Sequence, residues 1–439
     1  MTRTRLSLIA VVFCIAVLGT EANAGVRYVK PAASGGANTS DCQSSASPCA
    51  TVGYAYTQAS PGDTIEVAEG TYANETIARK ASISSNPVTI QPAAGAAPRF
   101  RDVAIRASYL VWKGPMTMRT LDLGDVNLTN RTQFVTVDGI TVDHERSATP
   151  DWRAMKVWAT DNVTVKNSTI GNTLSGTNVG QDSNLIQFSG ATYSTNFTID
   201  RVRFHHNDTL KPTGAHNECI YAINIQGFNV RNSTFESCTY YGIFFTDFRN
   251  GQPSLRDVTI ENNVFATGQN DSGAAYPYAI DMHANVTPNN FRFRYNTFEN
   301  WVAFSFGGAV SNGFEVKGNI FGLGVVSDST IGTFACKPGV TFSYNVMPQA
   351  CGTNSTTASS TAIRSGWLAP SATWGVADDL HLGSTSPAIN AGSPTDCPAT
   401  DLDSNARPTG TGCDAGAYKF GSTPDTRPNP PTDLQVTVS

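Results

Sequence analysis

The chain has 439 residues, a formal net charge of -5, 15% charged and 40% hydrophobic residues, and 38 Gly against 23 Pro. That apolar fraction supports a continuous core, while the scarcity of Lys and Arg runs excludes the clustered positive charge that neutralising nucleic-acid phosphates requires. Ser, Thr and Asn interleaved with Val, Ile and Phe point to an exported all-β protein.

At the N-terminus, Arg3 and Arg5 precede an apolar run from Leu6 to Leu18 and then Ala22-Asn23-Ala24. These are the three regions of a secretory signal peptide, predicted over residues 1–24, so the mature protein begins near Gly25 and is secreted. The run is short for a membrane span, and no transmembrane segment is expected elsewhere. Once Cys14 leaves with the signal, eight cysteines remain in local couples: Cys42 with Cys49, Cys219 with Cys238, Cys336 with Cys351, Cys397 with Cys413. An even count in an exported chain predicts four short-loop disulfides.

From Val137 onward a six-residue pattern recurs, its starts 23 to 34 residues apart. It reads Val137–Val142, Val165–Ile170, Ile199–Phe204, Val230–Phe235, Ile260–Phe265, Phe293–Phe298, Val316–Phe321 and Phe342–Met347. Each copy is apolar, polar, small or Asn, variable, variable, apolar. Units this short and strand-like are not domains, and they predict a parallel β-helix in which apolar side chains stack in columns and Asn residues ladder at the bends. A β-propeller needs longer blades, of about 40 residues, and the leucine pattern of a horseshoe is absent.

The flanks resemble known proteins. Tyr28-Val29, Cys49-Ala50-Thr51, Pro61–Val67 and Gly70-Thr71-Tyr72 are similar to the N-terminal cap and first coil of right-handed parallel β-helix proteins of the pectin-lyase type. Ser386–Gly392, Arg407-Pro408 and Asp414–Tyr418 resemble the terminal segment of bacterial members. The resemblance implies one β-helix domain over residues 25–420, after which residues 421–439 form a short disordered tail, read as a Pro-rich linker or the start of a truncated module. It implies fold rather than reaction, since the superfamily includes lyases, hydrolases, epimerases, esterases and adhesins.

A second strand precedes each repeat. Two-residue alternation turns Met155, Ile220, Ile243 and Ile280 inward and places Lys156, Gln187, Tyr221, Phe244, Asp281 and Ser305 in an outward column, with Ser189, Thr246 and His283 beside it. Tyr221 and Asp281, two coils apart, should then be separated by about 10 Å, the size of a sugar. Long loops flank this column, and they bring His205, His206, Asp208, Lys211, His216, Glu218, Asp247 and Arg249 to the same interval. Imidazoles and carboxylates on a cleft transfer protons near neutral pH. The plain alternative is that His205 and His206 are loop residues, Glu218 closes a turn, and Asp281 and His283 belong to a solvated strand face.

The catalytic candidates are therefore Lys211, His216, Glu218, Tyr221, Asp281 and His283, with Lys156, Gln187, Asp247 and Arg249 binding substrate. By analogy with the lyases of the superfamily, Lys211 or His216 would be the base that removes the proton beside a uronate carboxylate. Arg249, or a calcium ion held by Asp247 and Glu218, would neutralise that carboxylate, and Tyr221 or His283 would protonate the leaving oxygen. Calcium is the one candidate cofactor. Hydrolysis by two carboxylates among Glu218, Asp247 and Asp281 is the alternative, and a glycan-binding or adhesive surface without catalysis is the third reading. Asp281-Met282-His283 also resembles the Asp-x-His strand of alginate epimerases. The expected partner is an acidic polysaccharide, and the chain is expected to be a monomer.

Fainter signals have plainer readings. Asp143-His144-Glu145 could ligate a metal but reads more readily as a surface turn. Asp401-Leu402-Asp403 resembles a calcium loop without its glycine. Trp152, Trp158, Trp301, Trp367 and Trp374 are either sugar platforms or packing.

Overall fold

The computed structural model describes residues 24–422 except 126–129, 145–152, 172–183, 189–192, 206–217, 237, 239, 248–254, 267–277, 328–335, 370–378 and 408–411. The signal region and the tail beyond residue 422 therefore lie outside the described residues. Among those described, 28 strands join edge to edge in one parallel ladder. Each coil contributes strands to successive faces. Leu110–Leu123 shows this, pairing in turn with Thr132–Asp143 and with Arg153–Val157.

The repeated six residues straddle one bend of the coil. Their first apolar position forms an interior column that runs in register from Val137 through Val165, Ile199, Val230, Ile260, Phe293 and Val316 to Phe342. Their last apolar position forms a second column, in which the rings of Phe204, Phe235, Phe265, Phe298 and Phe321 stack at 4.7, 4.3, 5.0 and 5.1 Å between successive centroids. Each buried Phe removes enough apolar surface to contribute about 1.5–3 kcal/mol. The third position turns the chain and has positive φ in Gly139, Asn167, Asn232, Asn262 and Gly318, residue types that enter the left-handed region cheaply.

The fourth position faces inward and builds the expected amide ladder. Asn263, Asn296, Asn319 and Asn345 are fully buried. The backbone N–H of Asn263 donates to Asn296 Oδ1 at 3.0 Å, that of Asn296 to Asn319 at 2.9 Å, and that of Asn319 to Asn345 at 2.9 Å. Ser168 and Ser233 play the same part earlier, accepting from the N–H groups of Ile140 and Val202. A bend inside the core leaves these N–H groups without a strand partner, and the side chain of the next coil supplies one.

At the N-terminal end the helix Val52–Gln58, capped by the Thr51 hydroxyl, buries Val52, Ala55 and Tyr56 as the predicted cap. All four disulfides form with the expected connectivity. Such a set is characteristic of proteins that fold in an oxidising compartment.

After Thr357 the coil pattern stops. A short helix, Ser360–Ser365, and an antiparallel pair, Trp367–Ala369 with Asp379–Leu382, follow. Ile363, Trp367, Leu380, Ala388, Ala415 and Ala417 pack on Val264, Ile320 and Val346, which are the outward fifth positions of three repeats. Arg407, a residue of the terminal motif, clamps this segment: its Nη2 donates to Asn262 Oδ1 at 3.0 Å and to the Gly416 carbonyl at 2.7 Å. Burial pushes its pKa down to about 10. The Asp401-Leu402-Asp403 turn is structural too, since Asp401 accepts from the Asn405 N–H at 2.8 Å and Asp403 accepts from His381.

His381 sits between two carboxylates, with Nδ1 on Asp379 and Nε2 on Asp403 Oδ2 at 2.5 Å, and its ring stacks on Tyr418 at 3.8 Å. Burial opposes the imidazolium, but its hydrogen bonds to Asp403 and Asp379 outweigh it and raise the pKa. A raised folded pKa stabilises fully below the unfolded value, about 6.5, and that contribution is lost as pH rises through the folded value. Thermal melts should therefore show a midpoint that falls across that window in the wild type. His381→Gln should flatten this dependence and cost about 2–3 kcal/mol at pH 5.5; equal slopes for the two proteins would refute the assignment.

Candidate functional site on the outward face of the coils

Arg153–Val157, Asn184–Phe188, Glu218–Ala222, Tyr241–Phe245, Tyr278–Met282 and Trp301–Ala303 stack in parallel, one from each of six successive coils. Met155, Ile186, Ile220, Ile243, Ile280 and Val302 align as their interior column. The next position gives Lys156, Gln187, Tyr221, Phe244 and Asp281 in strict register, as predicted. The sixth member differs from expectation: Ala303, not Ser305, pairs with Asp281. Val302 fills the interior position beside Ile280, two residues earlier than expected, so Ser305 lies beyond the column and reaches back, its Oγ donating to Asp281 Oδ1 at 3.1 Å.

A second outward line was hidden by the alternation rule. Strict two-residue alternation would bury Glu218, Tyr241 and Tyr278 beside the isoleucines. Instead Cys219, Gly242 and Ala279 also face inward, since Cys219 and Ala279 belong to the core and a Cβ on Gly242 would lie 2.7 Å from the Phe265 ring. Two consecutive inward positions turn the preceding residue out. Arg153, Asn184, Glu218, Tyr241, Tyr278 and Trp301 thus form a line beside the first. The signal was present in the sequence as a small residue directly before each of these three isoleucines.

The two lines enclose an aromatic cluster separate from the core: Tyr240, Tyr241, Phe244 and Tyr278, with Tyr221 and Trp301 half-buried at its edge. Tyr241 stacks on Phe244 at 5.0 Å and on Tyr278 at 6.0 Å, and Phe244 lies between Tyr221 at 5.7 Å and His283 at 6.0 Å. Two carboxylates are buried among these rings, Glu218 at 0% and Asp281 at 3% exposure. Burial, then the negative fields of Asp281 and Glu218, raise the Tyr241 phenol far above its ordinary value, and burial with Glu218 raises Tyr240. These phenols stay protonated and remain hydrogen-bond donors.

The other candidates fall around this cluster. Lys156 is half-buried at the N-terminal end of the column, in register with Asp122. Gln187 follows it, and its Oε1 is buried without a hydrogen bond among the described residues. The Glu218 N–H donates to Asn184 Oδ1 at 3.3 Å, so Glu218 is a strand residue and not the closure of a turn. Asp247 and His283 share Asn285, whose Oδ1 accepts from the Asp247 N–H at 3.0 Å and whose N–H donates to His283 Nδ1 at 3.3 Å. The Cys219–Cys238 disulfide ties the start of the Glu218 strand to the next coil. Lys211, His216, Arg249, His206, Asp208 and Ser189 lie outside the described residues.

No group of three or more His, Cys, Asp or Glu side chains among the described residues is placed to hold a metal ion. In the Asp143-His144-Glu145 run, His144 is buried, not a surface-turn residue, and Glu145 lies outside the described residues.

Residues 153–321 match the family described as the right handed beta helix region. The fold is a right-handed parallel β-helix. No curated protein matches the sequence. Among solved structures, the chain is similar to pectate lyase Pel9A at 15% identity and a TM-score of 0.48, over 90% of this chain and 96% of that one. It is similar to a rhamnogalacturonan lyase at 13% identity and a TM-score of 0.36, over 73% and 87%. Dettilon tailspike protein gives 13% and 0.38, over 90% and 69%. Likeness at this level concerns the coil and transfers no residue's role.

Proposed function

We propose that this chain is an exported polysaccharide lyase that cleaves an acidic, uronate-containing glycan by β-elimination along the paired outward lines. The reading is carried by the register that stacks Lys156, Gln187, Tyr221, Phe244 and Asp281 at about 4.8 Å per coil, beside Tyr241, Tyr278 and Trp301. A glycan laid along the axis would meet a cation at Lys156, an amide at Gln187, ring faces at Tyr221 and Trp301, and proton-transferring groups at Tyr221, Asp281 and His283. In the elimination, a base removes the proton beside the uronate carboxylate, the electron pair forms the new double bond, and the glycosidic oxygen leaves with a proton. Lys211 or His216 is the proposed base, Arg249 or calcium the carboxylate neutraliser, and Tyr221 or His283 the proton donor. Four disulfides and the N-terminal signal pattern support export.

One observation favours a second reading, inverting hydrolysis. Glu218 and Asp281 are two buried carboxylates on either side of Tyr241, and inversion needs a pair about 6.5–9.5 Å apart. The mature protein should be incubated with polygalacturonate, alginate and neutral polysaccharides, with and without calcium. A rising ultraviolet absorbance from unsaturated uronates is the expected result. New reducing ends without that absorbance would replace the lyase by the hydrolase, and neither signal on any substrate would leave a recognition surface.

A further inference from the structure

The bend that opens each repeat-bearing strand carries its own column of left-handed residues. In register order it runs Tyr109, Phe134, Asn162, Asn196, Gly227, Asp257 and Asn290, with φ between 52° and 70° throughout. Five of the seven are Gly, Asn or Asp, the types that adopt this conformation at least cost. Tyr109 and Phe134 are not, and a bulky side chain there is strained unless something compensates. Left-handed tyrosines at the other bend have visible employment: the Tyr295 hydroxyl donates to the Asp396 carbonyl at 2.7 Å, and Lys317 lies over the Tyr344 ring. Phe134 instead is 45% exposed, one of few large apolar side chains so placed among the described residues, and Tyr109 stacks flat on it at 4.9 Å.

The next two rungs are exposed amides, with Asn196 Nδ2 donating to Asn162 Oδ1 at 3.1 Å. The charges alongside are matched internally. Arg131 binds Asp161 through two nitrogens, Thr195 donates to the same carboxylate, and these bonds outweigh burial to hold Asp161 below its ordinary range. The strip is therefore a stacked aromatic pair, with Phe134 exposed, followed by two amides, without net charge.

We propose that Tyr109, Phe134, Asn162 and Asn196 form a second glycan-binding platform, non-catalytic and separate from the outward lines. It takes the uncharged face of one or two sugar rings on the aromatics and their hydroxyls on the amides. Ring faces match the C–H surface of a pyranose, and adjacent amides match vicinal hydroxyl pairs. A platform beyond the next bend from the candidate site would hold a long chain while its acidic stretch is processed, yet its binding does not require cleavage.

Phe134→Asn separates binding from packing, because Asn accepts the left-handed conformation that Phe resists. Wild type, Phe134→Asn, Tyr109→Asn/Phe134→Asn and Asp281→Asn are compared by affinity electrophoresis in gels containing galactomannan, xyloglucan or polygalacturonate. We expect at least one polysaccharide to retard the wild type and Asp281→Asn alike. Phe134→Asn should raise the dissociation constant at least fivefold, with a thermal midpoint within about 3 °C of wild type and turnover of short soluble oligosaccharides intact. Equal retardation of the double variant, or no retardation of the wild type in any gel, overturns the platform. A fall in midpoint without loss of binding would also overturn it, reducing the stack to packing. Absence of cleavage with retained, Phe134-dependent binding would count against the lyase reading alone.

Discussion

Replacing Asn296 by Ala should lower the unfolding free energy by about 3–5 kcal/mol in urea titrations. Its side chain makes four bonds in the dry interior: Nδ2 donates to the Ile260 carbonyl at 2.8 Å and to Asn319 Oδ1 at 2.9 Å, and Oδ1 accepts the Asn263 N–H at 3.0 Å and its Nδ2 at 2.9 Å. Truncation strands a backbone N–H and a carbonyl at a bend with 0% exposure, each costing about 1–3 kcal/mol. It also breaks a chain of amides that polarise one another. Asn162→Gly is the control, since it keeps a left-handed bend and removes only a solvent-exposed amide bond, at a cost of about 0.5 kcal/mol. A loss below about 1 kcal/mol for Asn296→Ala would mean that neighbouring rungs close over the gap and that the ladder is not a main determinant of coil stacking.

Asp281→Asn should reduce kcat/KM on the productive polysaccharide about 10²- to 10⁴-fold, the usual scale for removing a group that moves a proton. The substitution keeps the side chain's shape and an oxygen for the Ser305 hydroxyl while removing the charge. Because a buried charge costs stability, the thermal midpoint should hold or rise. The Phe244, Tyr241 and Tyr278 packing next to it, read from near-ultraviolet circular dichroism, should be unchanged. Activity within threefold of wild type would remove Asp281 from the catalytic set and return it to the role of a structural partner for Ser305.

The physical basis of the fold was written locally. Apolar positions five residues apart, with a polar residue and then Gly or Asn between them, describe a bend that only stacked copies can bury, and the ladder follows because Asn recurs at the inward position. The cysteine couples were equally local, with partners 7 to 19 residues apart along the chain. One outward line, Lys156 to Asp281, followed from alternation alone.

What escaped was everything that depends on departures from that alternation or on distant segments. Tyr241, Tyr278 and Glu218 turn outward because Cys219, Gly242 and Ala279 are small enough to share the interior with the adjacent isoleucines, a choice made by Phe265 and the neighbouring coils. Ser305 missed its predicted place because Val302 fills the interior position beside Ile280, two residues earlier than expected. The ends of the chain divide in the same way. The sequence by itself determined the coil, its columns and its ladder, because each is a relation between a residue and its copy one turn away, and its disulfides, because each joins near neighbours along the chain. Only the tertiary structure decided that His381 would meet Asp379 and Asp403, that Arg407 would reach Asn262, and that two carboxylates would be buried among tyrosines. Those contacts join segments with no common period, and their energies come from burial and charge pairing that no repeat encodes.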